Sequence, residues 1–173
     1  CVMIVFIILW KAYKNTQDVV LNQVELPIKV EATPHRSTAL KILHLSDLHV
    51  ENLSITPIML HDYLKDKNFD LIALTGDYLD RKRSIEKLVP YLQVLRSLAP
   101  TYGMYAVFGN HDYVLKERHF QRLEETLRKY SFHTLKNEHV SIRVNEQFVN
   151  IVGIDDYSTK RSDIRASFSK IDN

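Results

Sequence analysis

The sequence contains 173 residues, a length typical of one domain or of part of a larger one. Hydrophobic residues make up 45% of it and charged residues 25%, a balance that indicates a folded globular chain and excludes a disordered or fibrous one. The formal net charge of +2 is too small to indicate a nucleic-acid partner. The single cysteine, Cys1, excludes an internal disulfide framework and a zinc site built on cysteines.

The first ten residues are all apolar, and Lys11 and Lys14 follow directly after Trp10. Ten apolar residues are too few to cross a bilayer, which takes roughly 20. Because the run begins without an initiator methionine and ends in an interfacial tryptophan and lysines, we interpret residues 1–14 as a truncated transmembrane or signal-anchor segment. The core of a signal peptide and a buried element of the globular domain remain alternatives.

Residues 15–38 are predominantly polar and are predicted to form a linker. One β-like run lies within it at 24–30, but Pro27 and Pro34 make this run a poor central strand. We expect an edge strand or an extended stalk that leads to a domain over residues 39–173.

Short apolar runs alternate with segments of helical apolar spacing in the first part of that domain. The pattern predicts strands at 40–46, 70–75 and 104–108, and helices at 55–67, 84–98 and 116–129. Shorter strands are predicted after them at 132–135, 140–144 and 148–152. Strands that alternate with helices imply βαβ units, so we expect an α/β fold on a largely parallel sheet.

A cluster of polar residues follows each of the three strongest predicted strands. The clusters occupy residues 46–49 (SDLH), 75–81 (TGDYLDR) and 109–112 (GNHD). Because ligands of open α/β sheets bind beyond the carboxyl ends of the strands, we expect the three clusters to come together. Asp47 and His49 lie two residues apart on a predicted extended stretch, so they are expected to point to the same side.

The donor atoms in these clusters are carboxylate oxygens, imidazole nitrogens and an asparagine oxygen, without soft sulfur. Such a set suits Mn²⁺, Fe²⁺ or Zn²⁺. Two such ions about 3.5–4 Å apart would clamp a phosphate and activate a bridging water for in-line attack. The clusters are therefore candidates for a site that binds divalent metal ions.

Together, the three motifs resemble those of the calcineurin-like metallophosphoesterase superfamily. The separations of 30 residues from Asp47 to Asp77 and 33 from Asp77 to Asn110 also fit this superfamily. The resemblance covers roughly residues 40–155, and it implies a four-layer α/β/β/α sandwich with a dinuclear centre between its two sheets. The apolar N-terminal run, the linker and the sequence HLSDLH resemble those of the membrane-anchored bacterial branch. This resemblance implies a location at the plasma membrane, and it leaves open on which side of the membrane the domain lies.

The resemblance implies a metal-binding role for four residues. Asp47 and His49 would bind the first metal ion, Asp77 would bridge both ions, and Asn110 would bind the second.

Four further residues receive roles near the substrate by the same resemblance. His111 would act on the phosphate as transition-state stabiliser or general acid, and Asp112 would fix its ring. Asp80 and Arg81 belong to the extended second motif. Arg81 would pair with residues around the metal site or with a phosphate; alternatively, it is an ordinary surface arginine.

The chain also departs from the superfamily's pattern. Three more histidines are expected in the C-terminal half, two of them in a Gly-His-x-His motif, but the last histidine here is His139. We therefore expect the sandwich to be incomplete, these residues to be the N-terminal part of a longer protein, and this part alone to be inactive.

The leading interpretation is a metal-dependent phosphohydrolase that cleaves a phosphomonoester, phosphodiester or pyrophosphate. The apolar N-terminal segment makes the membrane an expected partner and a lipid-linked substrate attractive. Two alternatives remain: a nuclease, which the absence of a basic stripe disfavours, and a pseudoenzyme or interaction module, which the intact motifs disfavour.

Overall fold

The computed structural model describes residues 2–27, 39–81, 84–145, 147–169 and 171. Its helices are α1 (Val2–Asn15), α2 (Pro57–Leu64), α3 (Ile85–Ser97), α4 (Asn110–Tyr113), α5 (Glu117–Lys129) and α6 (Ile164–Ser167). Its strands are β1 (Ile42–Leu45), β2 (Leu71–Thr75), β3 (Met104–Val107), β4 (Phe132–Thr134), β5 (Glu138–Val144) and β6 (Gln147–Gly153). Of the predicted extended run at 24–30, residues 24–27 are irregular, and 28–30 lie outside the described residues.

The N-terminal apolar run forms helix α1, and its side chains are exposed. From Met3 to Trp10, every side chain is more than half exposed, with Ile7 the least exposed at 52%. Within the described ranges, no helix has both the length and the apolar character needed to cross a bilayer.

The predicted alternation of strands and helices is confirmed. Strands β1 to β4 form one parallel sheet in chain order, as βαβ connections require. Leu45 lies opposite Leu74 at the ends of β1 and β2, and Thr75 lies opposite Val107 at the ends of β2 and β3. The three chain segments that leave these strands therefore emerge side by side at one edge of the sheet.

Local sequence explains where the helices begin and which face they bury. Thr56 accepts a hydrogen bond from the Met59 N–H at 3.2 Å, and Pro57 occupies the first turn, where its missing N–H costs nothing. In α5, Phe120, Leu123 and Leu127 recur at helical spacing and are buried, while most of the other positions are charged.

The helices cover one face of the parallel sheet and form the main core with it. Burial of this apolar surface stabilises the fold by roughly 25 cal/mol per Å² removed from water. The sheet contributes Leu43, Ile72, Leu74, Met104, Ala106 and Phe132, and the helices contribute Leu60, Leu64, Leu88, Leu92, Leu95, Leu123 and Leu127.

The other face of the sheet packs on the antiparallel pair β5–β6. Leu71, Tyr105 and Leu135 form a second buried cluster there, with Val140 and Ile151 packed against it from the hairpin. Helices, parallel sheet and hairpin thus stack as successive α, β and β layers, which agrees with the expected α/β sandwich.

Candidate metal centre

The loops that follow β1 and β2 continue to pair beyond the sheet. The Asp47 N–H donates to the Gly76 carbonyl at 3.2 Å, and the His49 N–H donates to the Asp77 carbonyl at 3.0 Å. The Asp77 carboxylate in turn accepts a hydrogen bond from the His111 N–H at 3.0 Å, which brings in the third loop. The expectation that the three polar clusters converge at the carboxyl ends of the strands is confirmed.

The backbone of these loops is turned rather than extended. Asp47, His49 and Asp77 have φ angles of 54°, 36° and 54°, in the left-handed region. The prediction of an extended stretch through Asp47 and His49 is wrong, because the hydrogen bonds to the neighbouring loop hold the chain in a turn. A left-handed conformation costs an L-residue about 1–2 kcal/mol, and such strain is concentrated at functional sites.

Two glycines allow the loops to touch at the backbone. Gly76 has a φ of 89°, and a Cβ atom there would lie only 2.7 Å from the Gly109 Cα. A Cβ atom on Gly109 would lie 2.8 Å from the backbone nitrogen of Asp77. Any side chain at either position would therefore push apart the two loops that carry Asp77 and His111.

Three side chains present potential metal ligands to one point. One ligand atom from each of His49, Asp77 and His111 can be chosen so that all three lie within 4.8 Å of one another. The His49 Nε2 is 4.0 Å from the Asp77 Oδ2, and the two imidazole rings meet edge to face at a centroid distance of 4.9 Å. Two imidazoles and a carboxylate fit a divalent ion such as Mn²⁺, Fe²⁺ or Zn²⁺.

Asp80 joins the two histidines of this group. Its Oδ1 lies 2.9 Å from the His49 Nδ1 and 2.7 Å from the His111 Nδ1. Burial raises the pKa of Asp80, but the hydrogen bonds from His49 and His111 outweigh it and hold the pKa below its ordinary value. A carboxylate on Nδ1 fixes the ring and its tautomer, which leaves each Nε2 available to a metal ion or a substrate.

Asp112 does not fix the ring of His111, contrary to expectation. Its carboxylate is fully buried and accepts the backbone N–H groups of Asp77 at 2.9 Å, Tyr78 at 3.1 Å and Gly109 at 3.0 Å. Asp112 lies in the first turn of α4, directly over the start of the neighbouring loop, and this placement turns its side chain inward. The carboxylate beside the His111 ring is that of Asp80.

The other expected site residues lie at the rim of this group. Asp47 is exposed, and its carboxylate accepts a hydrogen bond from the Ser46 hydroxyl. Asn110 is exposed at the first position of α4, and Arg81 is exposed at the end of the second loop. The structure places all three in the converging loops, but the group of three mutually close ligands does not include Asp47.

A hydrogen bond ties helix α4 to the segment that follows β6. The Tyr113 hydroxyl donates to the Asp155 carboxylate at 2.6 Å, and Asp155 is buried. Burial raises the pKa of Tyr113, and the bond to Asp155 raises it further, so the phenol stays protonated. This bond joins the loop of the third motif to the second sheet.

Glu51, which belongs to none of the three motifs, supports the second loop. Its Oε1 accepts the backbone N–H groups of Asp80 at 3.0 Å and Arg81 at 2.8 Å. The only signal in the sequence was an acidic residue two positions after His49.

Comparison with known proteins agrees with this geometry. The family model for calcineurin-like phosphoesterase matches residues 40–167. An uncharacterized metallophosphoesterase, YkoQ of Bacillus subtilis, is 54% identical over 95% of this chain and 60% of its own length. An uncharacterized metallophosphoesterase of Aquifex aeolicus is 32% identical over 89% of this chain and 56% of its own length. A Danio rerio protein named transmembrane protein with metallophosphoesterase domain is 26% identical over 79% of this chain and 32% of its own length.

No solved structure gives a significant match. The chain spans about 60% or less of the length of these curated relatives. The family model covers well over half of the chain, including the three motifs that meet at the sheet edge. The chain belongs to the calcineurin-like phosphoesterase family.

Proposed function

We propose that the complete gene product containing these residues hydrolyses phosphoester bonds with the help of divalent metal ions. The observation that carries this proposal is the convergence of the three motifs at the carboxyl edge of the sheet, which brings two proposed ligands, His49 and Asp77, next to His111. Family membership supports the same reaction class. The substrate would be a phosphomonoester, a phosphodiester or a pyrophosphate.

Four side chains are proposed to hold the ions. Asp47 and His49 would bind the first, Asn110 would bind the second, and Asp77 would be shared between them. The ions would supply Lewis-acid stabilisation of the phosphate and lower the pKa of water. Asp77 suits the shared position because its side chain is only 14% exposed and its Oδ1 is fixed by the His111 N–H. Its Oδ2 faces the His49 Nε2.

His111 is proposed to protonate the leaving oxygen from its Nε2. Its side chain is 46% exposed, so it faces the space that a substrate would enter. The Asp80 carboxylate on Nδ1 holds the ring in one orientation. An acid in this position raises the rate typically 10²- to 10⁴-fold.

The N-terminal segment is proposed to associate with a membrane, which makes a lipid-linked substrate the preferred candidate. Helix α1 exposes a continuous apolar surface from Met3 to Trp10, and Lys11 and Lys14 follow it. The Danio rerio relative is named a transmembrane protein, which supports the same location. Co-sedimentation with lipid vesicles tests this point: the complete protein should pellet, and a variant without residues 1–14 should not.

The function is tested with the purified complete protein, loaded separately with Mn²⁺, Zn²⁺ or Fe²⁺. Nitrophenyl phosphate, bis-nitrophenyl phosphate, inorganic pyrophosphate and a lipid-linked pyrophosphate serve as substrates. Multiple turnovers on at least one of them, abolished by a chelator and restored by the metal, are expected. Metal binding without turnover on any substrate would instead support the non-catalytic interpretation.

A further inference from the structure

The second loop is held at two points by two different carboxylates. Asp112 accepts the N–H groups of Asp77 and Tyr78 at the start of the loop. Glu51 accepts the N–H groups of Asp80 and Arg81 at its end. Asp112 comes from α4 and Glu51 from the turn after β1, so neither anchor is part of the segment that it fixes.

The anchor at Glu51 determines where the Asp80 side chain can lie. The Asp80 N–H donates to the Glu51 Oε1 at 3.0 Å. The Oδ1 atom of Asp80 bridges the two imidazole rings, at 2.9 Å from the His49 Nδ1 and 2.7 Å from the His111 Nδ1. A backbone fixed by a charged acceptor moves little, because such hydrogen bonds are about twice as strong as neutral ones. Release of this end would let the carboxylate, and with it both rings, change orientation.

The Glu51 carboxylate holds the second loop through one of its two oxygens. Its Oε1 accepts both backbone N–H groups, whereas its Oε2 is buried without a hydrogen-bond partner among the described residues. Both bonds that anchor the end of the second loop therefore depend on this single oxygen atom.

We propose that Glu51 is a positioning residue for phosphoester hydrolysis: through the backbone of Asp80, it sets the orientation of the His111 ring toward the leaving oxygen. This inference rests on the proposed function. Glu51 touches neither metal nor substrate in this account. It acts by holding Asp80 in place, and the Asp80 carboxylate in turn orients His111.

The test compares Glu51→Ala and Glu51→Gln in the complete Mn²⁺-loaded protein. Glutamine keeps an oxygen that can accept both backbone N–H groups, whereas alanine removes the anchor. We expect Glu51→Ala to lower kcat about 10- to 100-fold, the usual loss when an outer-shell partner is removed. Glu51→Gln should keep kcat within about threefold of the wild type, since its amide oxygen still accepts both bonds. KM should stay unchanged in both variants.

The leaving group separates positioning from general destabilisation. With an alkyl phosphoester, whose leaving oxygen needs a proton, the loss in Glu51→Ala should be large; with a nitrophenyl ester it should be several-fold smaller. A partly unfolded variant would lose the same fraction of activity on both substrates. Glu138→Ala is the matched control, because Glu138 also accepts a backbone N–H, from Lys136, but lies in β5 away from the metal centre.

A double variant completes the test. If Glu51 acts through Asp80, adding Glu51→Ala to Asp80→Ala should cause little further loss, because the two changes remove one interaction chain. Additive losses, or equal losses on both leaving groups, would overturn the positioning role while wild-type turnover leaves the proposed function intact. A wild-type protein without turnover would refute the proposed function itself, and then the inference falls with it.

Discussion

The close approach of the second and third loops predicts that Gly76 and Gly103 respond very differently to the same substitution. Both glycines have φ angles near 90°, at 89° and 92°, so alanine is strained equally at both positions. A Cβ on Gly103 would meet only the Tyr105 side chain, at an ordinary contact distance of 3.5 Å or more. A Cβ on Gly76 would meet backbone atoms of Gly109, 2.7 Å from its Cα, and these cannot rotate away.

The magnitudes follow from these two environments. The left-handed conformation costs alanine about 1–2 kcal/mol at either site. Forcing an extra methyl into a packed backbone contact adds about 1–3 kcal/mol. We therefore expect Gly103→Ala to lower the free energy of unfolding by about 1–2 kcal/mol and Gly76→Ala to lower it by about 2–5 kcal/mol.

Urea unfolding of the complete protein measures the difference, with fluorescence and circular dichroism as independent probes of a single transition. Gly76→Ala should also lower Mn²⁺ affinity, because displacement of the third loop moves Asn110, the proposed ligand that it carries, away from Asp77. Gly103→Ala should bind Mn²⁺ as the wild type does, since Gly103 lies at the amino end of β3, opposite the metal centre. Equal destabilisation by both variants, with unchanged Mn²⁺ affinity, would refute the proposed close packing of the loops.

Three further outcomes are expected. Asp77→Asn should abolish hydrolysis of bis-nitrophenyl phosphate, because a neutral amide holds two cations together poorly; unchanged turnover would remove the two-metal account. His111→Ala should lower kcat roughly 10²- to 10⁴-fold with metal content kept, and metal analysis that shows loss of the ion would instead make His111 a ligand. The 173-residue chain alone should show no turnover of bis-nitrophenyl phosphate with added Mn²⁺. Its four proposed ligand side chains are too few for two ions that each take about four to six donors. Multiple turnovers by this chain would show that these four side chains are enough.

Much of the fold could be predicted from the residues because each strand is a short apolar run that ends in polar residues. The apolar runs at 40–46, 70–75 and 104–108 predicted a parallel sheet, and parallel strands place their carboxyl ends at one edge. The convergence of the polar clusters follows from that topology alone.

The finer geometry of the site depends on tertiary contacts that periodicity does not encode. The left-handed turn at Asp47 and His49 arises from pairing with a loop about 30 residues away, so spacing along the chain predicted the wrong backbone. The role of Asp112 was misassigned for a similar reason: the imidazole of His111 is adjacent in sequence, but the Asp112 carboxylate faces backbone N–H groups of the second loop.

Asp80 and Glu51 illustrate how the supporting residues differ from the ligands. Asp80 was expected near the site, but only the fold shows that it bridges two histidines from two different loops. Glu51 carries no motif signal, because its function depends on which backbone lies opposite its side chain. Ligand types are therefore visible in the sequence, whereas the groups that orient them are visible only in three dimensions.

The central claim is that the three strand-end clusters together form a centre that binds divalent metal ions. Equilibrium dialysis of the complete protein against Mn²⁺, followed by metal analysis, tests it most directly, with Asp77→Asn as the variant and Asp62→Asn, an exposed carboxylate on α2, as the control. The account predicts two bound Mn²⁺ per chain in the wild type and in Asp62→Asn, and no more than one weakly bound ion in Asp77→Asn. Equal Mn²⁺ content in all three proteins would contradict it.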